Sequence, residues 1–307
     1  MHLIVARRKK KSIAKVLGFC FHTQMIDFTM LQKFFKVAVL SLCACSAAAS
    51  ADFRPPSTPM GNSASPTLLT AGMFRLESER SYKLSLQMAL GILNGHTEVE
   101  RTGSLQAVER YRKELTRAVQ RSDKAGKAFN RVNVALNDQV EGLAKLNAKN
   151  AAAMYEVNED LLIKMNFLSF ALEADTSDNS SRISGLAMRQ ASLAQRMAKI
   201  VLLRSMDKTM AGKQGLQVDL EQSRIEFVNG MNLLAAETNS DKFLRDRMQL
   251  VQQQWMFYDR ALQAGGMKAE DLRNISSTSD RIAEMMVEMV RLSYGLTPDP
   301  KVIAERR

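Results

Sequence analysis

Residues 136–173 read LNDQVEGLAKLNAKNAAAMYEVNEDLLIKMNFLSFALE. Leu136, Val140, Leu143, Met154, Val157, Leu161 and Leu168 recur there at steps of three and four, the spacing that lines one face of an α-helix. The spacing predicts one long helix over 125–173, with Asn147 and Asn150 as polar seam residues that fix its register against a partner helix. Working outward, all six prolines (Pro55, Pro56, Pro59, Pro66, Pro298, Pro300) fall outside 67–297, so that stretch contains no helix breaker of this kind. Aromatic residues are only 6% while methionine numbers 19, which describes an aliphatic, pliable core with little preference for strands. Comparable helical patterning covers 67–93, 104–122, 182–212, 214–238, 241–263 and 268–294. The expected fold is all-α, an antiparallel helical bundle or bundles of about seven helices.

The 307 residues are 46% hydrophobic and 24% charged, a balance suited to a folded globular chain. The net charge of +11 suggests a nucleic-acid binder until the basic residues are located. Arg7, Arg8, Lys9, Lys10, Lys11, Lys15, Lys33 and Lys36 lie in the first 51 residues against one acid, Asp27, which leaves 35 basic and 31 acidic residues over the rest. The basicity belongs to the leader, and no nucleic-acid partner is expected.

That leader carries an export signal. From Met30, which reads as the true start after an upstream extension, Lys33 and Lys36 precede the apolar stretch 37–48, and Ala49-Ser50-Ala51 forms an A-x-A cleavage site before Asp52. About a dozen apolar residues fall short of the roughly 20 that span a bilayer. A periplasmic location is expected, with lipoprotein anchoring at Cys45 in Leu42-Cys43-Ala44-Cys45 as the alternative. Cleavage removes Cys20, Cys43, Cys45, His2 and His22, so the mature chain keeps only His96, in the polar turn Asn94-Gly95-His96-Thr97. Disulfides, Cys/His metal sites and di-iron E-x-x-H chemistry are thereby excluded, and no metal or cofactor is expected.

After a flexible Pro/Ser/Gly linker at 52–66, the polar run Asp175–Ser181 divides the chain into halves, 67–174 and 182–296, followed by a tail at 297–307. Gly265-Gly266 makes a later break. On the final helix Ile282, Met285, Met286, Met289 and Val290 share a face. Thioether sulfur suits Cu(I), but a methionine stripe at helical spacing reads as core.

The halves share a motif. Residues 71–83 read AGMFRLESERSYK and residues 187–199 read AMRQASLAQRMAK, with Ala71, Arg80 and Lys83 matching Ala187, Arg196 and Lys199. Tandem duplication is the economical explanation. The second copy, within ISGLAMRQASLAQRMAKIVLL, resembles the A-G-R-Q-R-M-L-S-Q-R-M-A-K motif of the PilJ-type domain through Arg189, Gln190, Leu193, Gln195, Arg196, Met197, Ala198 and Lys199. The first copy keeps Ala71, Gly72, Arg75, Ser78, Arg80 and Lys83. Such domains form the periplasmic region of type IV pilus chemotaxis transducers and NarX-like nitrate/nitrite sensor kinases. The resemblance implies an antiparallel helical bundle that senses ligands outside the cytoplasm, and by position it makes Arg75 the anion contact. The second copy has Ala191 at that place and Met188 where the motif has glycine.

On a helix Leu68, Arg75, Tyr82, Leu86 and Leu93 fall within about 40° of one another, so a guanidinium shares an apolar stripe. A charge so placed needs a carboxylate, carbonyls or an anion. Glu79, at i+4, is the first candidate partner, and a planar oxyanion such as nitrate, nitrite or a carboxylate is the other. Arg75, Ser78, Arg80, Arg189 and Arg196 are the candidate ligand-binding residues. The expected function is that of an exported sensor-type protein that lacks a signalling module and binds a small oxyanion or a membrane chemoreceptor or sensor kinase. Pairing of two copies through their helices is a further partner expectation. The alternative is a structural or assembly bundle of the cell envelope with no small ligand. No catalytic residue is expected, since no phosphate loop, nucleophile elbow or paired-carboxylate motif is visible and Glu156, Glu159 and Asp160 read as a solvated face.

Overall fold

A computed structural model describes residues 66–92, 95–173, 179–206, 214–264 and 268–295. The leader, the linker short of Pro66, Leu93, the polar run 175–178, Gly265-Gly266 and the tail lie outside the described residues. Eight α-helices and no strand occur among the described residues: α1 (Pro66–Ala89), α2 (Thr97–Ala118), α3 (Asp123–Ala144), α4 (Ala151–Glu173), α5 (Asn179–Met206), α6 (Gln214–Thr238), α7 (Lys242–Ala264) and α8 (Ala269–Ser293). The chain is all-α, as its periodicity predicts. A 3-10 turn, Val119–Arg121, links α2 to α3.

Local chemistry sets the helix ends. Pro66 opens α1, where its missing N–H costs nothing. Gly91, at φ +67°, closes that helix, with Ile92 N donating to Gln87 O at 2.9 Å. Ser122 caps α3 by accepting from Ala125 N, and Asp241 caps α7 by accepting from Phe243 N and Leu244 N.

The long helix expected over 125–173 is two helices. Asn147 and Asn150 are not buried seam residues but build the turn between them: both side-chain amides donate to Lys145 O, while Asn150 Oδ1 accepts from Asn147 N and Asn147 Oδ1 from Lys149 N. Asparagine competes with the helix by such short-range bonds. Gly142 then lets the hairpin close, since a Cβ there would lie 2.0 Å from Met154 Sδ. The apolar spacing survives on both sides of the turn, which is why periodicity alone reads it as continuous.

The motif helices α1 and α5 lie side by side and run parallel, because the contacts Gly72–Met188 and Glu79–Lys199 advance together along the chain. Around them the helices of the halves repeat one pattern of buried positions. α4 buries Met154, Asn158, Leu161, Leu162, Met165 and Leu168 where α8 buries Ile275, Ser279, Ile282, Ala283, Met286 and Met289. α3 buries Phe129, Val132, Gln139 and Leu143 where α7 buries Met248, Val251, Tyr258 and Leu262. Gln139 Nε2 donates to Ser78 O on α1, and Tyr258 OH donates to Ala194 O on α5. One apolar cluster runs through all eight helices, so the halves share a single core, and Met286 and Met289 belong to it.

At the α1–α5 contact Gly72 faces its own counterpart, Met188. A Cβ on Gly72 would lie 2.8 Å from Met188 Cβ and 2.9 Å from Cγ. The loss of the motif glycine in the second copy is therefore complementary: a large side chain fills the space that the remaining glycine leaves. Gly72→Ala is expected to destabilise the fold by about 1–3 kcal/mol through overpacking. Urea denaturation should show this loss, and Met188→Ala combined with it should leave much of the loss in place, since alanine keeps the Cβ that lies 2.8 Å away. A single variant as stable as wild type would mean that the two helices have room to part.

Candidate functional site

The motif helices carry charge into the core. Arg80, Lys83 and Lys199 are buried, as are Glu77 and Glu79, while Arg196, Glu159 and Asp280 are half-buried. Four cations and four acids thus balance. Lys83 Nζ reaches Asp280 Oδ2 at 2.6 Å, Ser279 Oγ at 3.2 Å and Ser276 O at 3.3 Å. Arg80 Nε and Gln195 Nε2 donate to the other Asp280 oxygen at 3.3 and 3.1 Å. In the other half Lys199 Nζ donates to Asn158 Oδ1, lies 2.8 Å from Glu79 Oε2 and 3.5 Å from Glu159 Oε1, and sits over the rings of Tyr82 and Tyr155. Arg196 Nη2 donates to Glu159 Oε2 at 2.6 Å. Each motif Arg-x-x-Lys therefore grips one carboxylate across the bundle, Asp280 on α8 or Glu159 on α4.

Burial by itself would raise the Asp280 carboxyl, but the charges of Lys83 and Arg80 with the hydrogen bonds from Lys83 and Gln195 outweigh it and hold it below the usual carboxylate range. Burial pushes Lys83 down, against the pull of Asp280. Burial likewise pushes Glu77 up; its Oε2 accepts from Ser104 Oγ at 2.7 Å, and its Oε1 is buried with no hydrogen-bond partner.

Arg75 stands apart from this balance. Glu79, its expected partner, is held by Lys199 instead, because the i+4 acid points across to α5 rather than along α1. Arg75 Nη1 donates to Asn166 Oδ1 on α4, its Nε is buried with no hydrogen-bond partner, and among the described residues it makes no ion pair. Burial lowers the guanidinium to about 10, with Glu79 opposing and Arg189 and Arg196 adding to the effect. The side chain lines a cavity of about 60 Å³ between α1, α4 and α5, together with Asn166, Ser169, Phe170, Glu173, Met188 and Arg189. A single water needs roughly 10–15 Å³ by the same measure, so a small molecule fits.

Four of the five sequence candidates separate into two places. Arg75 and Arg189 meet at the cavity, Arg189 on its rim and paired with Glu226 at 3.0 Å. Arg80 and Arg196 belong to the ionic layer. Ser78 gives its hydroxyl to Phe74 O within its own helix. Of the acids read as a solvated face, Glu156 and Asp160 are exposed, but Glu159 turns inward to Arg196 and Lys199. Asn166, Ser169 and Glu173 were not among the candidates, and their one sequence signal is polar spacing on a single face of α4. His96 is exposed just ahead of α2.

Among the described residues no helix is long and apolar enough to cross a membrane, and no group of three or more His, Cys, Asp or Glu side chains is placed to hold a metal. Comparison with protein-family models, with curated proteins and with solved structures finds no match to this chain.

Removing one member of a buried charge cluster strands the others. Asp280→Asn is expected to cost about 3 kcal/mol at neutral pH, because Lys83 and Arg80 lose their shared acceptor. The Asp280 carboxyl titrates lower in the folded chain than the roughly 3.9 of the unfolded one, so its contribution is present above that value and lost as pH falls through the lower one. Denaturation at pH 7 and near pH 3 should show the gap between variant and wild type closing in acid; a gap independent of pH would contradict this role.

Proposed function

We propose that this chain is an exported, sensor-type helical bundle of the PilJ/NarX-like class that binds a small planar oxyanion of the nitrate or nitrite kind at Arg75 and passes the signal to a membrane receptor. The observation that carries the reading is the buried Arg75 Nε without a hydrogen-bond partner, on a side chain that makes no ion pair among the described residues and lines a cavity. Buried charges are costly unless paired, and an oxyanion completes this one. Arg189, paired with Glu226, lines the same cavity, as does Glu173. The motif resemblance points to the same residue by position. The ligand contacts of this reading are Arg75 and Arg189, with Ser78, Arg80 and Arg196 supporting the helices that carry them.

A structural or assembly role is the second reading. It is favoured by the ionic layer, in which Arg80 and Arg196 tie α1 and α5 to α8 and α4 with no ligand involved. The readings differ in what Arg75 is for.

Thermal melting with added anion separates them. A ligand at 100 times its dissociation constant adds about 2.7 kcal/mol of stability. Nitrate, nitrite or formate is expected to raise the melting temperature of the wild-type chain and to leave that of Arg75→Ala unchanged. The variant without ligand is expected to melt no lower than wild type, since it loses a buried charge with no ion pair. No shift with any of these anions, together with a destabilised Arg75→Ala, would favour the structural role.

A further inference from the structure

The second half of the molecule shows what the fold requires at the place of Arg75. Arg75 precedes Arg80 by as many residues as Ala191 precedes Arg196, and Asn166 follows Glu159 by as many as Val287 follows Asp280. Arg80 with Asp280 and Arg196 with Glu159 make equivalent ion pairs, so these positions correspond along the two copies. Ala191 and Val287 are both buried. One half therefore has buried apolar residues at the offsets where the other carries a guanidinium and a carboxamide.

Its geometry is directional. Asn166 Oδ1 accepts a hydrogen bond from Arg75 Nη1, which fixes one side of the guanidinium, and the buried Nε is left without a partner. The edge that remains is Nε with Nη2, whose two parallel N–H bonds match two oxygens of one planar anion. A carboxamide can hold the guanidinium in this way without cancelling its charge, which a carboxylate at the same position would do. Ser169 and Glu173 follow Asn166 at helical spacing and line the same cavity.

We infer that Asn166 is the positioning residue of the Arg75 site, turning the guanidinium so that its Nε–Nη2 edge receives one planar two-oxygen anion per chain. This rests on the anion-binding reading above and adds to it the residue that sets orientation and the number of sites.

Isothermal titration of the full chain with sodium nitrate and sodium chloride tests it, using wild type, Asn166→Val and Asn166→Asp. Valine is the residue that the other half already packs at this place. Wild type is expected to bind one nitrate per chain and to prefer it to chloride. Asn166→Val should bind nitrate about tenfold more weakly, a loss of about 1.4 kcal/mol, and lose the preference over chloride, which a purely structural role would leave in place. Asn166→Asp should abolish nitrate binding by pairing with Arg75 while melting no lower than wild type, and it carries the test if the valine variant does not fold. Wild-type affinity and selectivity in either variant, or two nitrates per wild-type chain, would overturn the inference and leave anion binding itself standing. A wild-type chain that takes up no nitrate would remove the anion-binding reading, and the role of Asn166 with it.

Discussion

Charge balance inside the bundle is the constraint on which the rest of the structure depends. A helix pair at the centre of a core is ordinarily apolar, yet α1 and α5 bring arginines and lysines inward, and each must find an acid or leave a costly unpaired ion. The arrangement answers this by crossing the halves. The lysine of α1 reaches α8 and the lysine of α5 reaches α4, so each half supplies the carboxylate that the other needs. Separate folding of the halves would leave both lysines short of a partner, which is why one core runs through all eight helices.

Equivalent helices with unequal contents are what makes the molecule informative. The Arg-x-x-Lys grip is present twice, but the space at the α1–α5 contact is shared between glycine on one side and methionine on the other, and the arginine-asparagine pair occurs on one side only. The glycine–methionine difference is one of packing, whereas the second difference places a guanidinium at a cavity. Arg75 and Asn166 make that second difference. Their cavity opens between helices of both halves, α1 and α4 from the first and α5 from the second, a place where a bound anion would bear on how the halves sit together.

Much of this was legible before any coordinates. The proline-free span and the three-four spacing give the helices and the all-α class, and Arg80, Lys83, Arg196 and Lys199 stand out in the aligned copies because their role requires the same spacing twice. What failed did so for physical reasons. Asn147 and Asn150 look like seam residues because apolar spacing continues on either side of them, whereas the bonds of an asparagine turn leave no periodic mark. Glu79 looks like the partner of Arg75 because i+4 neighbours can meet on an isolated helix, but a buried lysine on α5 competes for it and wins. Asp280 and Asn166 lie far from the motifs along the chain, and only the antiparallel packing of α8 and α4 brings them in.

The most direct test of the claim that Arg75 is a charge awaiting its counterion is a crystal structure grown in nitrate. The account predicts planar density against the Nε–Nη2 edge of Arg75, between α1, α4 and α5, with Asn166 still bound to Nη1. A guanidinium turned onto Glu173 or another carboxylate, with that cavity free of anion, would contradict it.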